Sequence, residues 1–238
     1  GSRYQGWQRP GKEDSAATIR GRLLAVLRKL TREDVRLDCA LRTEAGIHAY
    51  RQTVNFRTSC SIPAEDLKHQ LNRRLPMDIA VVEALEVPEH FHAKLSAKSR
   101  TYLYQIVTGD VPSVFQRRYT WHARLPLDIN AMRHAALLLC GRHDFRNFSS
   151  GRTKKSTIRT VSDISIRQNG VFLMITICAD DFLHNMARLM IGTLLEIGEG
   201  RRRIGSVNAV FDGTEAPAPP CDPKGLILED VSYGHASR

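Results

Sequence analysis

The chain has 238 residues, of which 42% are hydrophobic and 25% are charged. This length and composition exclude a mini-protein and a largely disordered chain, and they favour one large or two coupled α/β or α+β units. Lys and Arg number 35 against 25 Asp and Glu, and the resulting charge of +10 favours a polyanionic partner over a neutral metabolite. Nucleic acid is the leading candidate, ahead of an anionic membrane surface.

The sequence carries no signal for a membrane or for a metal. No apolar run approaches the length of a membrane span, and residues 1–9 are polar, so we expect a cytoplasmic protein. The five cysteines are scattered without a C-x-x-C pair, a pattern typical of reduced thiols. His90 and His92 have no further ligands close by in the sequence, so we predict that no metal is bound.

The first half of the chain predicts two helices followed by strands. Thr18 can cap an amphipathic helix over residues 19–30, and a second helix is predicted from Pro63 until Pro76 stops it. Residues 79–85 are rich in β-branched and aliphatic side chains, which predicts a strand. Residues 101–107 alternate and predict another strand, with Tyr102 on one face.

The second half repeats this plan. Asp128 can cap a helix that ends before Gly141, and Asn169-Gly170 predicts a tight turn between two antiparallel strands. The remaining predicted elements are a long helix over 182–197, a Pro-rich stretch over 216–220 and a last strand over 225–231.

This order of elements lacks the strict alternation of a parallel sheet. We therefore predict an α+β fold of two similar halves, residues 1–110 and 111–238, with mainly antiparallel sheets and helices on the outer faces.

The predicted helix over 182–197 is apolar almost all round and should be buried. His184 and Arg188 lie one turn apart on one of its faces, and Gly192 leaves space for something to approach. A buried Arg needs an anion, because an unpaired charge there costs several kcal/mol. The partner of Arg188 is a carboxylate or a phosphate, and a structural ion pair and a functional one remain equally open.

The segment from Leu41 to Ala49 offers a candidate carboxylate. Arg42 and Glu44 are two residues apart, so in an extended segment their side chains project to the same side, and Gly46 permits an unusual backbone path. An ordinary surface pair of Arg and Glu is the alternative interpretation.

Six segments spread along the chain share their order and spacing with a single protein family. They are YQGWQ at 4–8, RTEAGIH at 42–48, FHA at 91–93 with SAKSRTY at 96–102, GRHDF at 141–145, FLHNMARLMIG at 182–192 and GL at 225–226. Through them the chain resembles the TruA family of tRNA pseudouridine synthases over nearly its whole length. The resemblance implies isomerisation of uridine to pseudouridine in the anticodon arm of tRNA, at positions 38 to 40, without a cofactor or a metal. It also implies a homodimer whose basic clefts each take tRNA from across both subunits.

The resemblance also implies roles for individual residues. Glu44 stands where the family has its catalytic Asp, and Arg188 matches an Arg that pairs with this carboxylate. Arg42 matches a residue that helps to displace the target base, and Tyr102 matches a Tyr that stacks on it. RNA binding is expected of Arg42 and of four further residues, namely Lys98, Arg100, His48 and Arg142.

Two departures from the family pattern lie at the centre of the site. Leu41 replaces a Gly, and Glu44 replaces the Asp, which moves the carboxylate by about 1 Å and can cost about a hundredfold in rate. Three explanations are open: a pocket adapted to Glu, a substitution engineered to quench turnover, or a naturally impaired relative that still binds RNA. The family has a strand before the segment at Gly1, so we also expect that residues are missing there.

Two basic clusters, Arg201–Arg203 and Arg152 with Lys154 and Lys155, are either solvated faces or phosphate contacts. Two other classes of protein compete with the enzyme: a noncatalytic tRNA-binding or RNA-folding protein on the same scaffold, and a small-molecule enzyme with an incidentally basic surface.

Overall fold

The computed structural model describes residues 1–9, 11, 15–151 and 156–234. The α-helices in these residues are α1 (Ile19–Thr31), α2 (Ala64–Asn72), α3 (Ile129–Leu139), α4 (Met186–Gly198) and α5 (Ser206–Phe211). The strands are β1 (Asp38–Cys39), β2 (His48–Ala49), β3 (Val54–Asn55), β4 (Ser99–Thr108), β5 (Trp121–Ala123), β6 (Gly141–Asp144), β7 (Ile158–Asn169), β8 (Phe172–Ala179) and β9 (Leu226–Ser232).

The chain forms two compact units. The first comprises Gly1–Gly46 and Gln52–Ala97, and the second comprises Ile47–Arg51 and Lys98–Arg238. The halves predicted from the sequence are residues 1–110 and 111–238. Strand β4 pairs with β8 and β9, and the second unit accordingly includes residues 98–110.

Helices α1 and α2 form the core of the first unit, as their apolar periodicity predicts. The Thr18 hydroxyl accepts a hydrogen bond from the backbone N–H of Gly21 at 3.1 Å, and α1 ends where Arg32 adopts a left-handed φ of 59°. The two helices, the segment between them and the residues just after α2 bury one leucine-rich cluster, consisting of Leu24, Leu27, Val35, Leu37, Leu67, Leu71 and Leu75.

The predicted strand over 79–85 is wrong. Val81 bonds instead to a side chain: its N–H donates to Asn72 Oδ1 at 2.7 Å and its carbonyl accepts from Asn72 Nδ2 at 2.8 Å. A strand needs a backbone edge to pair with. Across the described parts of the first unit the only ladder joins β1 to β3.

The second unit is built on one sheet, in the order β2-β9-β4-β8-β7-β6 with β5 beside β4. All neighbouring strands are antiparallel except the pairs β2–β9 and β4–β5. The predicted α+β class with antiparallel pairing is therefore confirmed. Two local predictions also hold: Asp128 caps α3 by accepting from Ala131 N at 2.9 Å, and Gly170, at φ +59°, turns β7 into β8.

Helix α4 begins at Met186, four residues later than predicted. Asn185 has a left-handed φ of 60°, which is incompatible with a right-handed helix running through it. His184 therefore precedes the helix and does not share a helical face with Arg188. Its side chain is exposed, and Nδ1 lies 2.9 Å from the carbonyl oxygen of Ser150.

Residues 216–221, which we call the strap, pack against α4. A Cβ on Gly192 would lie 2.1 Å from the carbonyl oxygen of Pro219, so the helix and the strap touch backbone to backbone. The N–H of Ala218 donates to Thr193 Oγ1 at 3.2 Å, and the N–H of Cys221 donates to the Arg188 carbonyl at 3.0 Å. The space left by Gly192 is thus filled by this chain itself.

In the described residues, no helix combines the length and apolar character needed to cross a membrane.

Candidate functional site

Residues 41–46, which we call the carboxylate loop, are anchored to the segment that follows them. The Gln52 side chain holds Leu41 from both sides, since its Oε1 accepts from the Leu41 N–H at 3.4 Å and its Nε2 donates to the Leu41 carbonyl at 2.7 Å. One residue earlier, the Ala40 N–H donates to the Thr53 carbonyl at 2.9 Å. The start of the loop is therefore fixed in register with its neighbour.

A second anchor comes from the segment at 4–8. Trp7 N–H donates to the Thr43 carbonyl at 3.0 Å, and Gly6, at φ +82°, lies so close that an added Cβ would be 2.6 Å from the same oxygen. The carbonyls of Gly6 and Trp7 accept from Ile19 N at 3.2 Å and Arg20 N at 2.9 Å, which ties the segment to the start of α1. The sequence alone indicates no role for this segment, in which a glycine directly precedes Trp7.

We expect Gly6→Ala to destabilise the first unit by about 2 kcal/mol and to displace the loop that carries Glu44. The Cβ would meet backbone atoms of Thr43 and Glu44 at 2.6 and 2.9 Å, and alanine also disfavours a positive φ. Thermal unfolding of Gly6→Ala and of the wild-type protein measures this loss of stability. Gly11→Ala is the matched control, because Gly11 has a φ of +71° but no atom within 4 Å of an added Cβ. Equal losses in the two variants would show that the close approach does not matter.

The side chains of the carboxylate loop differ in their exposure. Arg42 is exposed, Thr43 is buried, and Glu44 is partly buried. Arg42 is close enough to act on Cys39, where burial raises the pKa of the thiol to about 11 and the positive charge of Arg42 opposes that rise. Cys39 is therefore a protonated thiol at neutral pH, and its own ionisation does not offset the charge of Arg42.

His92 lies beside the strand that leads into this loop. Its Nδ1 accepts from the N–H groups of Lys94 and Leu95 at 3.1 and 3.4 Å, so the neutral ring carries its hydrogen on Nε2, which faces Asp38 Oδ2 at 4.0 Å. Among the described residues, no three His, Cys, Asp or Glu side chains are grouped so that they could hold a metal ion.

The β4 candidates Arg100 and Tyr102 are both 3% exposed. The Tyr102 ring packs edge-on against Phe182, with the ring centroids 5.0 Å apart and the planes at 73°. Arg100 donates from Nη1 to the Asp180 carbonyl, and its Nε lies 3.8 Å from Asp181 Oδ1. The charge of Arg100 is thus held inside the second unit, and its contact with a phosphate stays a prediction.

Arg188 lies in the first turn of α4 and is half-buried. Its Nε donates to the Cys221 carbonyl at 2.9 Å, and its Nη1 donates to Asn185 Oδ1 at 2.9 Å. The sequence called for an anion, but within its own unit Arg188 is bound by two neutral oxygens. These bonds use one N–H group on Nε and one on Nη1, so the two N–H groups of Nη2 and the second one of Nη1 are left to meet an anion. Sequence reasoning missed both Asn185 and Cys221.

The Cys221 thiol and the Tyr104 hydroxyl are uncharged, whereas the carboxylate of Asp222 is close enough to act on both of them. Burial raises the pKa of the Cys221 thiol to about 12, and burial also raises the pKa of Tyr104, whose hydroxyl faces that thiol. Both groups are therefore protonated at neutral pH. The charge of Arg188 is not cancelled by either of them.

The other RNA-binding candidates differ in how they are held. Lys98 and Arg142 are exposed, and Arg142 lies on β6 at the end of the sheet. His48 Nε2 lies 3.0 Å from the Arg118 carbonyl, and its ring packs against Tyr119 at 4.8 Å. Burial lowers the pKa of His48, so at neutral pH its ring can contribute a hydrogen bond but not a charge.

The basic cluster at 201–203 is largely neutralised within the chain. Arg201 pairs with Glu196 at 2.9 Å and with Glu199, and Arg202 pairs with Glu196 at 3.1 Å and Glu215 at 3.3 Å. These pairs favour the solvated-face interpretation over phosphate contact for two of the three arginines. The second cluster, at 152–155, lies outside the described residues.

Comparison with known proteins gives one consistent result. The family model described as tRNA pseudouridine synthase matches residues 1–95 and 135–234. Among similar proteins, "tRNA pseudouridine synthase A" of Moorella thermoacetica is 43% identical over 98% of this chain and 96% of the relative, and that of Thermoanaerobacter sp. is 42% identical with the same coverage. "tRNA pseudouridine synthase A 2" of Clostridium tetani is 38% identical over 98% of this chain and 95% of the relative. The carboxylate loop and Arg188 fall within the ranges matched by the family model.

Proposed function

The chain belongs to the tRNA pseudouridine synthase family, and from this premise we propose that it isomerises uridine to pseudouridine in tRNA. The observation that carries the proposal is the similarity to tRNA pseudouridine synthases over 98% of the chain. The net charge of +10 supports it, because a basic protein attracts the phosphates of an RNA.

The reaction needs no other reactant. The bond between C1′ and N1 breaks, the base turns, and C1′ bonds to C5; the hydrogen on C5 leaves as a proton and N1 gains a proton. Uridine and pseudouridine are isomers, so no electrons are gained or lost. We propose that the target uridines are at positions 38 to 40 in the anticodon arm and that no cofactor or metal takes part.

Within this proposal Glu44 supplies the catalytic carboxylate. It either attacks the ribose or removes a ribose proton as the bond to the base breaks. Arg42 assists because a base in a stem must leave the stack, which costs a few kcal/mol. Its exposed, positively charged side chain, two residues from Glu44, suits the task of filling the gap.

We assign Tyr102 and Arg188 to the same reaction. Tyr102 offers an aromatic face to the displaced base. Because the side chain is 3% exposed, stacking requires that binding of RNA uncover the ring. Arg188 carries a positive charge, and three of its N–H groups take no part in the bonds to Cys221 and Asn185. We propose that it pairs with the carboxylate of Glu44.

We propose that RNA is bound through exposed Arg42, Lys98 and Arg142, with His48 contributing a hydrogen bond. The enzyme is proposed to act in the cytoplasm as a homodimer, with tRNA contacting both subunits.

The alternative is a tRNA-binding relative that has lost catalysis. The observation that favours it is Glu44 itself, since one extra methylene moves the carboxylate by about 1 Å and can cost about a hundredfold in rate. The carboxylate would remain charged and tRNA would still bind.

The test is release of tritium from an unmodified tRNA transcript labelled at C5 of uridine, followed by mapping of pseudouridine along the sequence. We expect tritium release with product at positions 38 to 40. A transcript with cytidine at these three positions is the matched control and should bind equally but release no tritium.

Binding without release from any tRNA, together with release after Glu44→Asp, would identify an impaired relative. Absence of tRNA binding even at low salt would contradict both interpretations and would support a small-molecule enzyme.

A further inference from the structure

Arg188 has two fixed partners, and three of its five N–H groups take no part in the bonds to them. Nε and Nη1 are each 2.9 Å from a carbonyl oxygen, one from the backbone of Cys221 and one from the side chain of Asn185. A guanidinium is planar and rigid, so two hydrogen bonds at different nitrogens set the directions of the remaining N–H groups. The partners are neutral, so they orient the group without cancelling its charge.

The two partners differ in how firmly they are held. The Cys221 carbonyl belongs to the strap, which is fixed to α4 by the contact of Pro219 with Gly192 and by a hydrogen bond from Ala218 to Thr193. This anchoring needs no part of the Arg188 side chain. The orientation of Arg188 therefore depends on a second acceptor that only a side chain supplies.

Asn185 has the features expected of the residue that supplies this side-chain acceptor to Arg188. It occupies the N-cap position of α4, where an Asn side chain ordinarily accepts from a helix N–H, yet its side chain caps no helix N–H. Its Oδ1 accepts from Arg188 instead. The left-handed backbone, at φ 60°, is one that Asn tolerates better than most residues.

We infer that Asn185 is a positioning residue that orients the Arg188 guanidinium for the isomerisation. The inference rests on the proposed function, because it gives Arg188 a role in that reaction. Asn185 acts through Arg188 and does not itself need to touch the RNA.

The test uses Asn185→Gly, since glycine keeps the positive φ and removes only the amide. We expect kcat for tritium release to fall about tenfold, while KM and the dissociation constant for tRNA stay within about twofold. Arg32→Gly is the matched control, because Arg32 is the other non-glycine residue with a positive φ in the described chain, at 59°. This control should keep wild-type kinetics. Unchanged kcat in Asn185→Gly would overturn the inference.

A double-mutant cycle separates positioning from a general structural role. In an Arg188→Lys background, adding Asn185→Gly should change the rate less than about twofold, because the group to be oriented is already absent. A further loss of about tenfold in that background would show that Asn185 acts independently of Arg188, which contradicts positioning.

A measurement without activity keeps this inference distinct from the proposed function. The side-chain ¹H–¹⁵N NMR signals of Arg188 should show restricted rotation in the wild-type protein and averaging in Asn185→Gly. Identical signals in both proteins would overturn the inference. If the wild-type protein released no tritium from any tRNA, the proposed function would fail, while these signals would still report whether Asn185 orients Arg188.

Discussion

Replacing Glu44 with glutamine is expected to lower the rate of pseudouridine formation by about a thousandfold, with tRNA affinity within about twofold of wild type. Glutamine has nearly the same shape and keeps hydrogen-bonding atoms, but it cannot act as a nucleophile or accept a proton at neutral pH. The loss should appear in kcat and not in binding, because the carboxylate is needed for the chemistry and not to hold the RNA. Tritium release under single-turnover conditions measures the rate directly.

Glu33→Gln is a matched control in the same unit. Glu33 is a carboxylate that accepts hydrogen bonds from Thr58 and Ser59, which lower its pKa, and we assign it no part in the reaction. Its loss should leave the rate unchanged. If Glu44→Gln also retained the wild-type rate, Glu44 would not be the catalytic carboxylate.

Glu44→Asp then separates a pocket adapted to Glu from the other two explanations for the departure from the family. A pocket adapted to Glu predicts a fall of about a hundredfold, because the shorter side chain withdraws the carboxylate by about 1 Å. An impaired or engineered form predicts the opposite, a rise. Gly6, Trp7 and Gln52 anchor the carboxylate loop through its backbone, so the substitution should leave the loop in place.

Local signals in the sequence were sufficient for most helices and for the hairpin. Thr18 and Asp128 cap α1 and α3 by hydrogen bonds to residues three positions along the chain, which is information contained in one short window. The turn at Gly170 is equally local. Such elements can be predicted because the groups that stabilise them are neighbours in the sequence.

Elements that depend on distant partners were predicted poorly. Residues 79–85 have the composition of a strand, but pairing decides whether a strand forms, and Val81 bonds to the Asn72 side chain. Apolar character extended the predicted helix α4 back to residue 182, whereas the backbone of Asn185 starts it at Met186. Composition indicates which secondary structures a segment is able to form. Its hydrogen-bond partners and backbone angles in the folded protein determine which one it forms.

In the candidate site, too, the sequence identified some residues but not the contacts that hold them. A family motif identified Glu44 and Arg188 by position, but it could not say what holds them. The holders of Arg188 are Asn185, three residues before it, and the carbonyl of Cys221, 33 residues after it. The burial of Arg100 was equally hidden, because its partner Asp181 lies just after β8, 81 residues away along the chain.

Gly192→Ala is expected to lower the stability of the second unit by about 3 kcal/mol, equivalent to a fall of about 6–12 °C in Tm. A Cβ at this position would lie 2.1 Å from the Pro219 carbonyl oxygen and 3.3 Å from its carbon. Real contacts require more than an ångström of additional space, so the strap must move. This cost exceeds the gain of about 1 kcal/mol that alanine normally brings to a helix.

Gly198→Ala in the same helix is the matched control. There the added Cβ would meet Met132 Sδ at 2.6 Å, and a methionine side chain can move aside, whereas a backbone carbonyl moves only with its segment. We expect Gly198→Ala to lose less than half as much in Tm. Equal falls in Tm in the two variants would mean that the strap moves aside as easily as a side chain does.

Gly192→Ala should also lower the rate of the reaction, because it displaces a group that binds Arg188. Displacing Pro219 displaces Cys221, whose carbonyl binds Arg188 Nε and whose N–H binds the Arg188 carbonyl. A shift of about 1 Å in a group that stabilises charge costs up to about a hundredfold in rate, so Gly192→Ala should lose activity even at temperatures where it is fully folded. Gly198→Ala should keep wild-type kcat below its own Tm. Full activity of folded Gly192→Ala would show that the strap does not set the position of Arg188, and orientation would then rest on Asn185 alone.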